Sequence, residues 1–137
     1  MFDQYKVEYP SQDPKNPWTW DQFVNAAKKL TFDTSGKQPG ASEFKPKQIK
    51  SYGCTAPSFW LFNMPLLYSN GAGYANADGS ASGLDTAEGK QVIQAIADLI
   101  LKHQVAPSAA VAKTLPGTTQ AFKNTQLAIA ISGTWEY

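Results

Sequence analysis

A chain of 137 residues, 42% hydrophobic and 17% charged, is long enough to bury the core of one domain and too apolar for a disordered segment. Its net charge of +1 gives no field that would gather nucleic acid or acidic lipid. No apolar run approaches the roughly 18 residues of a membrane span, and a single cysteine, Cys54, excludes an internal disulfide and a cysteine-built metal site.

The first organised stretch is "NPWTWDQFVNAAKKL", residues 16 to 30. Thr19 is an N-cap, and Gln22 three residues later completes a capping box. Trp18 before the cap and Phe23 after it are placed for a hydrophobic staple. Trp20, Phe23, Ala27 and Leu30 recur at helical spacing and predict one apolar stripe, its aromatics serving the core. Lys28 and Lys29 sit where the helix dipole favours cations.

Residues 31 to 47 are rich in Gly, Pro, Ser and Lys and read as a surface loop. "QIKSYG", 48 to 53, alternates apolar and polar as a strand does, with Gly53 ending it. Cys54, just beyond, reads as a small buried thiol. Ser58 is a candidate cap for a helix running to Tyr68, with Pro65 expected to kink or break it. The run Phe59, Trp60, Leu61, Phe62 is apolar on every side, so it must be buried or line a pocket. "NGAGYANADG", 70 to 79, has turn and hairpin chemistry around Asp78-Gly79. Its Gly-x-Gly lacks the rest of a dinucleotide fingerprint.

"LDTAEGKQVIQAIADLILKH", 84 to 103, predicts a second long helix, capped by Asp85 with Glu88 in its first turn. Val92, Ile93, Ile96, Leu99 and Ile100 form its apolar face. His103, the one histidine, stands at the helix end as a surface group that compensates the dipole. "VAPSAAVAKTLPG" reads as a loop or broken helix and 118 to 124 as a short helix carrying Phe122. The apolar run 127 to 132 is a closing strand that Gly133 terminates before Thr134 and Trp135.

Little here is catalytic. One histidine and one cysteine lie far apart in sequence, no acid cluster has metal-ligand spacing, and no phosphate loop exists. The acids fall at caps, turns and polar faces, and no pair stands out for glycoside hydrolysis. What remains is aromatic surface. Tyr52, Phe59, Trp60 and Trp135 fall at strand ends or beside turns, where open α/β sheets bind ligands. Aromatic faces suit the apolar C–H faces of sugars, and Asn63 and Thr134 supply hydrogen-bonding groups. For each aromatic, plain core packing is the competing account.

Four segments carry a resemblance. "FDQYKVEYP" with "NPWTWDQFVNAAKKLT", then "LLYSNGAGYANADG", then "LDTAEGKQVIQAIADLILKHQVAPS", then "AFKNTQLAIAISGTWEY" are similar, in this order, to segments of extracellular solute-binding proteins of the maltose-binding type, which serve ABC sugar importers. The chain departs from the family at Asn124-Thr125, where a glycine is common, and at Gly71-Ala72-Gly73, which replaces a Gly-Gly pair. The resemblance implies an α/β fold, a helix-rich single lobe of the type II periplasmic-binding-protein class with a small sheet. Residues 1 to 137 would form one domain, the central segment of the C-terminal lobe of a two-lobed protein. It also implies no enzyme, no cofactor and no metal, and as partners a sugar or oligosaccharide ligand, the first lobe of the same protein and an ABC permease, without nucleic acid. The location implied is extracellular or periplasmic, with lipoprotein anchoring in the parent protein. Trp135 matches the family's Gly-x-Trp tryptophan, which stacks on a sugar ring, with Gly133 and Thr134 flanking it. Phe59, Trp60 and Asn63 fall in the stretch that lines the family's cleft. The reading left beside it is a freestanding carbohydrate-binding or protein-interaction module, with Trp135 on an exposed concave face in either case.

Overall fold

The computed structural model describes residues 1–133 and residue 135. Thr134 lies outside the described residues. Helices α1 (Phe2–Tyr5), α2 (Trp20–Lys29), α3 (Trp60–Ser69), α4 (Ala87–Leu101), α5 (Ala109–Ala112) and α6 (Thr118–Lys123) surround strands β1 (Phe32–Asp33), β2 (Ile49–Cys54) and β3 (Leu127–Ile129). Strand β2 is central. It pairs antiparallel with β1, Phe32 opposite Ser51, and parallel with β3, Tyr52 opposite Leu127 and Cys54 opposite Ile129. No helix among the described residues is long and apolar enough to cross a membrane.

Helix α2 forms as its sequence dictates. Thr19 accepts the Gln22 N–H and the Gln22 side chain accepts the Thr19 N–H, closing the capping box. Val24 and Ala27 enter one core cluster with Cys54, Leu99 and Val105, against which Trp20 and Phe23 pack half-buried. Ala26 and Leu30 enter a second cluster with Val7 and Ala128, and Trp18 packs there beside Phe2 rather than stapling to Phe23.

Gly53 does not end β2. The strand runs on to Cys54, and Gly53 lies where α2 presses on it: a Cβ there would stand 2.0 Å from the Ala27 carbonyl oxygen. Thr31 ties the same junction. Its hydroxyl donates to the Ala27 carbonyl (2.8 Å) and accepts the Gly53 N–H (2.9 Å). The loop after α2 contributes β1 and a buried carboxylate. Asp33 is 1% exposed, with Oδ1 accepting the Ser35 and Lys37 N–H groups and Oδ2 that of Lys45.

Helix α3 starts at Trp60 with Phe59 as N-cap, without a side-chain cap from Ser58, and it continues through Pro65 to Ser69. The 70s segment folds back through a turn closed by the Gly79 N–H on the Asn76 carbonyl, with Gly79 at φ 73°, a conformation glycine adopts without strain. It makes a single bridge, Ala75 to Ser82, rather than a two-stranded hairpin. Thr86, not Asp85, caps α4: its hydroxyl accepts the Gly89 N–H, while Asp85 sits in the preceding 3-10 turn and pairs with Lys90 at 2.7 Å. Of the apolar face, Val92 and Leu99 are buried, whereas Ile93 is 46% exposed.

His103 is half-buried, not a free surface cation. Burial, then Lys28 and Lys102, lower its pKa and favour neutral imidazole. The chain turns inward there to deliver Val105, whose carbonyl accepts the Cys54 N–H. Cys54 is fully buried, and burial pushes its thiol up to about 12, so it stays protonated and inert. At Asn124-Thr125, Thr125 adopts φ 59°, the left-handed conformation a glycine takes freely.

Strand β3 is shorter than its apolar run. Beyond Ile129 the chain still follows β2's extension: the Thr55 N–H donates to the Ile129 carbonyl (3.1 Å) and the Ile131 N–H to the Thr55 hydroxyl (3.0 Å). Pro57 then removes a donor on the β2 side, so the ladder stops.

Candidate functional site

Parallel pairing of β2 with β3 fixes where the site lies. Both strands end on the same edge of the sheet, so the segments that follow them, 55–62 and 130–135, meet there. The first supplies Phe59, Trp60, Leu61 and Phe62. The second supplies Trp135, whose ring centre lies 6.0 Å from that of Phe62. Phe59 stands 5.7 Å from Trp60 and 5.9 Å from Phe62. Trp135 is 60% exposed, Phe59 53% and Trp60 51%. An apolar run needs to be buried or to line a pocket, and here it lines pockets.

Two grooves share Phe62 and Ile131. One, of about 250 Å³, is lined among others by Thr55, Ser58, Phe59 and Leu115. The wider one, of about 670 Å³, lies between α2 and α3, with Trp20, Phe23, Leu61 and Trp135 on its walls. Among the described residues no charged side chain lines either groove. Such walls suit a neutral ligand with apolar faces; the hydroxyls of Thr55 and Ser58 and the exposed backbone offer hydrogen bonds.

Gly133 acts through its lack of a side chain: a Cβ there would lie 2.2 Å from the Trp135 ring, so the indole rests directly against the glycine backbone. Asn63 is half-buried beside the grooves and hydrogen-bonds the Tyr74 hydroxyl through Oδ1. Tyr52 does not join the others. It is 8% exposed, packed with Ala121 and Leu127, and burial raises its phenol pKa. The physical reason is that β2 is central, paired on both edges and covered by α2 and α6, so its residues from Ser51 onward are enclosed.

Sequence reasoning missed Phe62, the ring common to both grooves, and the contribution of Trp20 and Phe23, which it assigned to the core. Their dual role has no one-dimensional signal, since a helical apolar stripe looks the same whether the next layer is protein or solvent. No group of His, Cys, Asp and Glu among the described residues could hold a metal ion.

An uncharged aromatic groove beyond the carboxyl ends of a small parallel pair, on a helix-rich α/β lobe, defines the solute-binding lobe of a type II periplasmic-binding-protein fold. The chain belongs to the bacterial extracellular solute-binding protein family, whose sequence profile matches residues 1–137. Among solved structures it is similar to the ABC substrate-binding protein Lmo0181 from Listeria monocytogenes, in complex with cycloalternan, at 26% identity and a TM-score of 0.76. That match covers 99% of this chain and 30% of the other. No curated protein matches the chain.

Proposed function

We propose that the chain is the carbohydrate-binding wall of an ABC transporter substrate-binding protein, taking an oligosaccharide against Trp135, Phe62, Phe59 and Trp60. The observation that carries this is the pair of uncharged grooves walled by half-exposed aromatic rings at the carboxyl edge of β2 and β3. Sugar rings present C–H faces that stack on such surfaces, and their hydroxyls tolerate the sparse polar groups at the rim. The likeness to a protein solved with cycloalternan supports the same ligand class. Trp135 is the main stacking residue, with Gly133 seating its indole and Thr134 beside it. A second lobe of the same protein closes over the ligand by hinge motion, and the loaded protein hands the sugar to a membrane permease. The protein works outside the cytoplasmic membrane as an anchored lipoprotein, and it binds its sugar without chemical change.

Titration of the 137-residue chain with cycloalternan and with linear gluco-oligosaccharides, followed by chemical-shift changes, tests the reading. Trp135→Ala is expected to weaken binding about tenfold, the scale of one lost aromatic stack, with thermal stability unchanged because the ring is exposed. Binding that ignores Trp135→Ala would refute the assignment.

A further inference from the structure

We propose that Tyr74 is a positioning residue for the aromatic turn that opens α3, and through it for the sugar platform; the ligand half of this rests on the function proposed above. Helix α3 begins without a side-chain cap, its N-cap residue Phe59 having no polar atom to offer. The Phe59 carbonyl takes the N–H groups of Phe62 (2.9 Å) and Asn63 (3.1 Å), but Phe59, Trp60 and Leu61 all project substantially into solvent. Packing therefore holds this end weakly, although it carries the rings that line the grooves.

The restraint comes from outside the helix. The Tyr74 hydroxyl donates to Asn63 Oδ1, with the Trp60 carbonyl oxygen at 3.2 Å as a second acceptor. One phenol thus touches the first helical residue and the side chain one turn on. Asn63 extends the link, its Nδ2 reaching back to the Ser58 carbonyl at 3.5 Å.

Tyr74 is itself fixed. Its carbonyl accepts the Gly83 N–H at 3.0 Å. Gly83 is packed so closely that a Cβ would lie 2.3 Å from the Gly73 carbonyl oxygen, and a Cβ on Gly89, in the first turn of α4, would lie 2.5 Å from the Gly83 carbonyl oxygen. The Thr86 hydroxyl closes the junction, donating to the Gly83 carbonyl at 2.8 Å while accepting the Gly89 N–H at 3.1 Å. A continuous path of backbone contacts and hydrogen bonds therefore runs from the 15-residue helix α4 to Tyr74 and on to the exposed aromatic turn.

The test uses Tyr74→Phe, Asn63→Ala and the double variant of the full chain. In Tyr74→Phe, amide exchange at Phe62 and Asn63 is expected to quicken about tenfold, as for one lost local hydrogen bond, with amides in the middle of α4 unchanged. Cycloalternan is expected to bind roughly fivefold more weakly, and the double variant no more weakly than either single one, because both remove the same link. A merely structural tyrosine would lower stability throughout and leave the exchange pattern uniform. Unchanged exchange at Phe62 and Asn63, or additive losses in the double variant, would overturn the proposal. Trp135→Ala separates this from the function itself, since it should abolish stacking without altering exchange at Phe62. If the unaltered chain binds no oligosaccharide, the ligand role of Tyr74 falls with the function, and the exchange measurement alone decides the tether.

Discussion

Asp33 shows how one side chain organises a segment that has almost no regular structure. Its carboxylate gathers three N–H groups from a loop spanning residues 35 to 45, taking the role a ladder would play elsewhere. Burial by itself would raise its pKa, but the N–H groups of Lys37, Lys45 and Ser35 and the nearby Lys45 charge outweigh that, and the carboxyl titrates below its usual range. The folded pKa is thus lower than the unfolded one, so the stabilisation is complete above the ordinary carboxylate range and is lost as pH falls through the folded value. Thermal unfolding followed from about pH 7 to about pH 3 is expected to show a flat Tm and then a decline below about pH 4. Asp33→Asn, with one acceptor oxygen instead of two, should lower Tm at neutral pH by several degrees and flatten part of that decline. Parallel Tm curves for the two proteins would show that Asp33 carries no such role. In sequence this residue looked like one polar position in a loop, because the partners of a carboxylate depend on where the loop closes. The capping box of Thr19 and Gln22 was legible for the opposite reason: donor and acceptor lie three residues apart, and local geometry alone brings them together.

At the scale of elements, what determined success was the range over which each signal acts. Amphipathic spacing located α2 and α4, and alternation located β2, since both patterns reflect burial within the element itself. Boundaries that depend on a neighbour went astray. Thr86 rather than Asp85 caps α4 because the preceding 3-10 turn already uses Asp85, which is free to pair with Lys90. Gly53 belongs to the middle of β2's business, not its end, because α2 packs backbone-close against it. That contact makes a strong prediction. Gly53→Ala places a methyl group against the Ala27 carbonyl, a backbone atom that cannot swing aside. Overpacking of this kind is expected to cost about 3 kcal/mol, read as a lower denaturation midpoint with the slope unchanged. A loss below about 1 kcal/mol would mean that α2 moves away easily. The Thr31 hydroxyl, bonded to both sides of the same junction, argues that it does not.

At the scale of the whole molecule, the candidate site was half legible. Trp135, Phe59 and Trp60 could be named from the family pattern and their places beside turns, and they do gather at one edge of the sheet. Phe62 could not, because its importance lies in being shared by two grooves, a property of packing between segments some 70 residues apart. Tyr52 was misplaced because a strand-end aromatic looks alike whether the strand is an edge or the centre of a sheet. The grooves are open on one side, and this sets the affinity to expect. High affinity for a small ligand comes with burial of most of its surface. A single wall covers about half of a sugar ring and must still meet the entropy of association. The 137-residue chain, which spans 30% of the length of the solved relative, is therefore expected to bind cycloalternan with a Kd of roughly 1 mM. The same residues within a protein that closes a second lobe over them should bind orders of magnitude more tightly, with Trp135→Ala costing about tenfold in both settings. Micromolar binding by the chain alone would mean that the grooves are a complete site, and the freestanding carbohydrate-binding module would then be the better account.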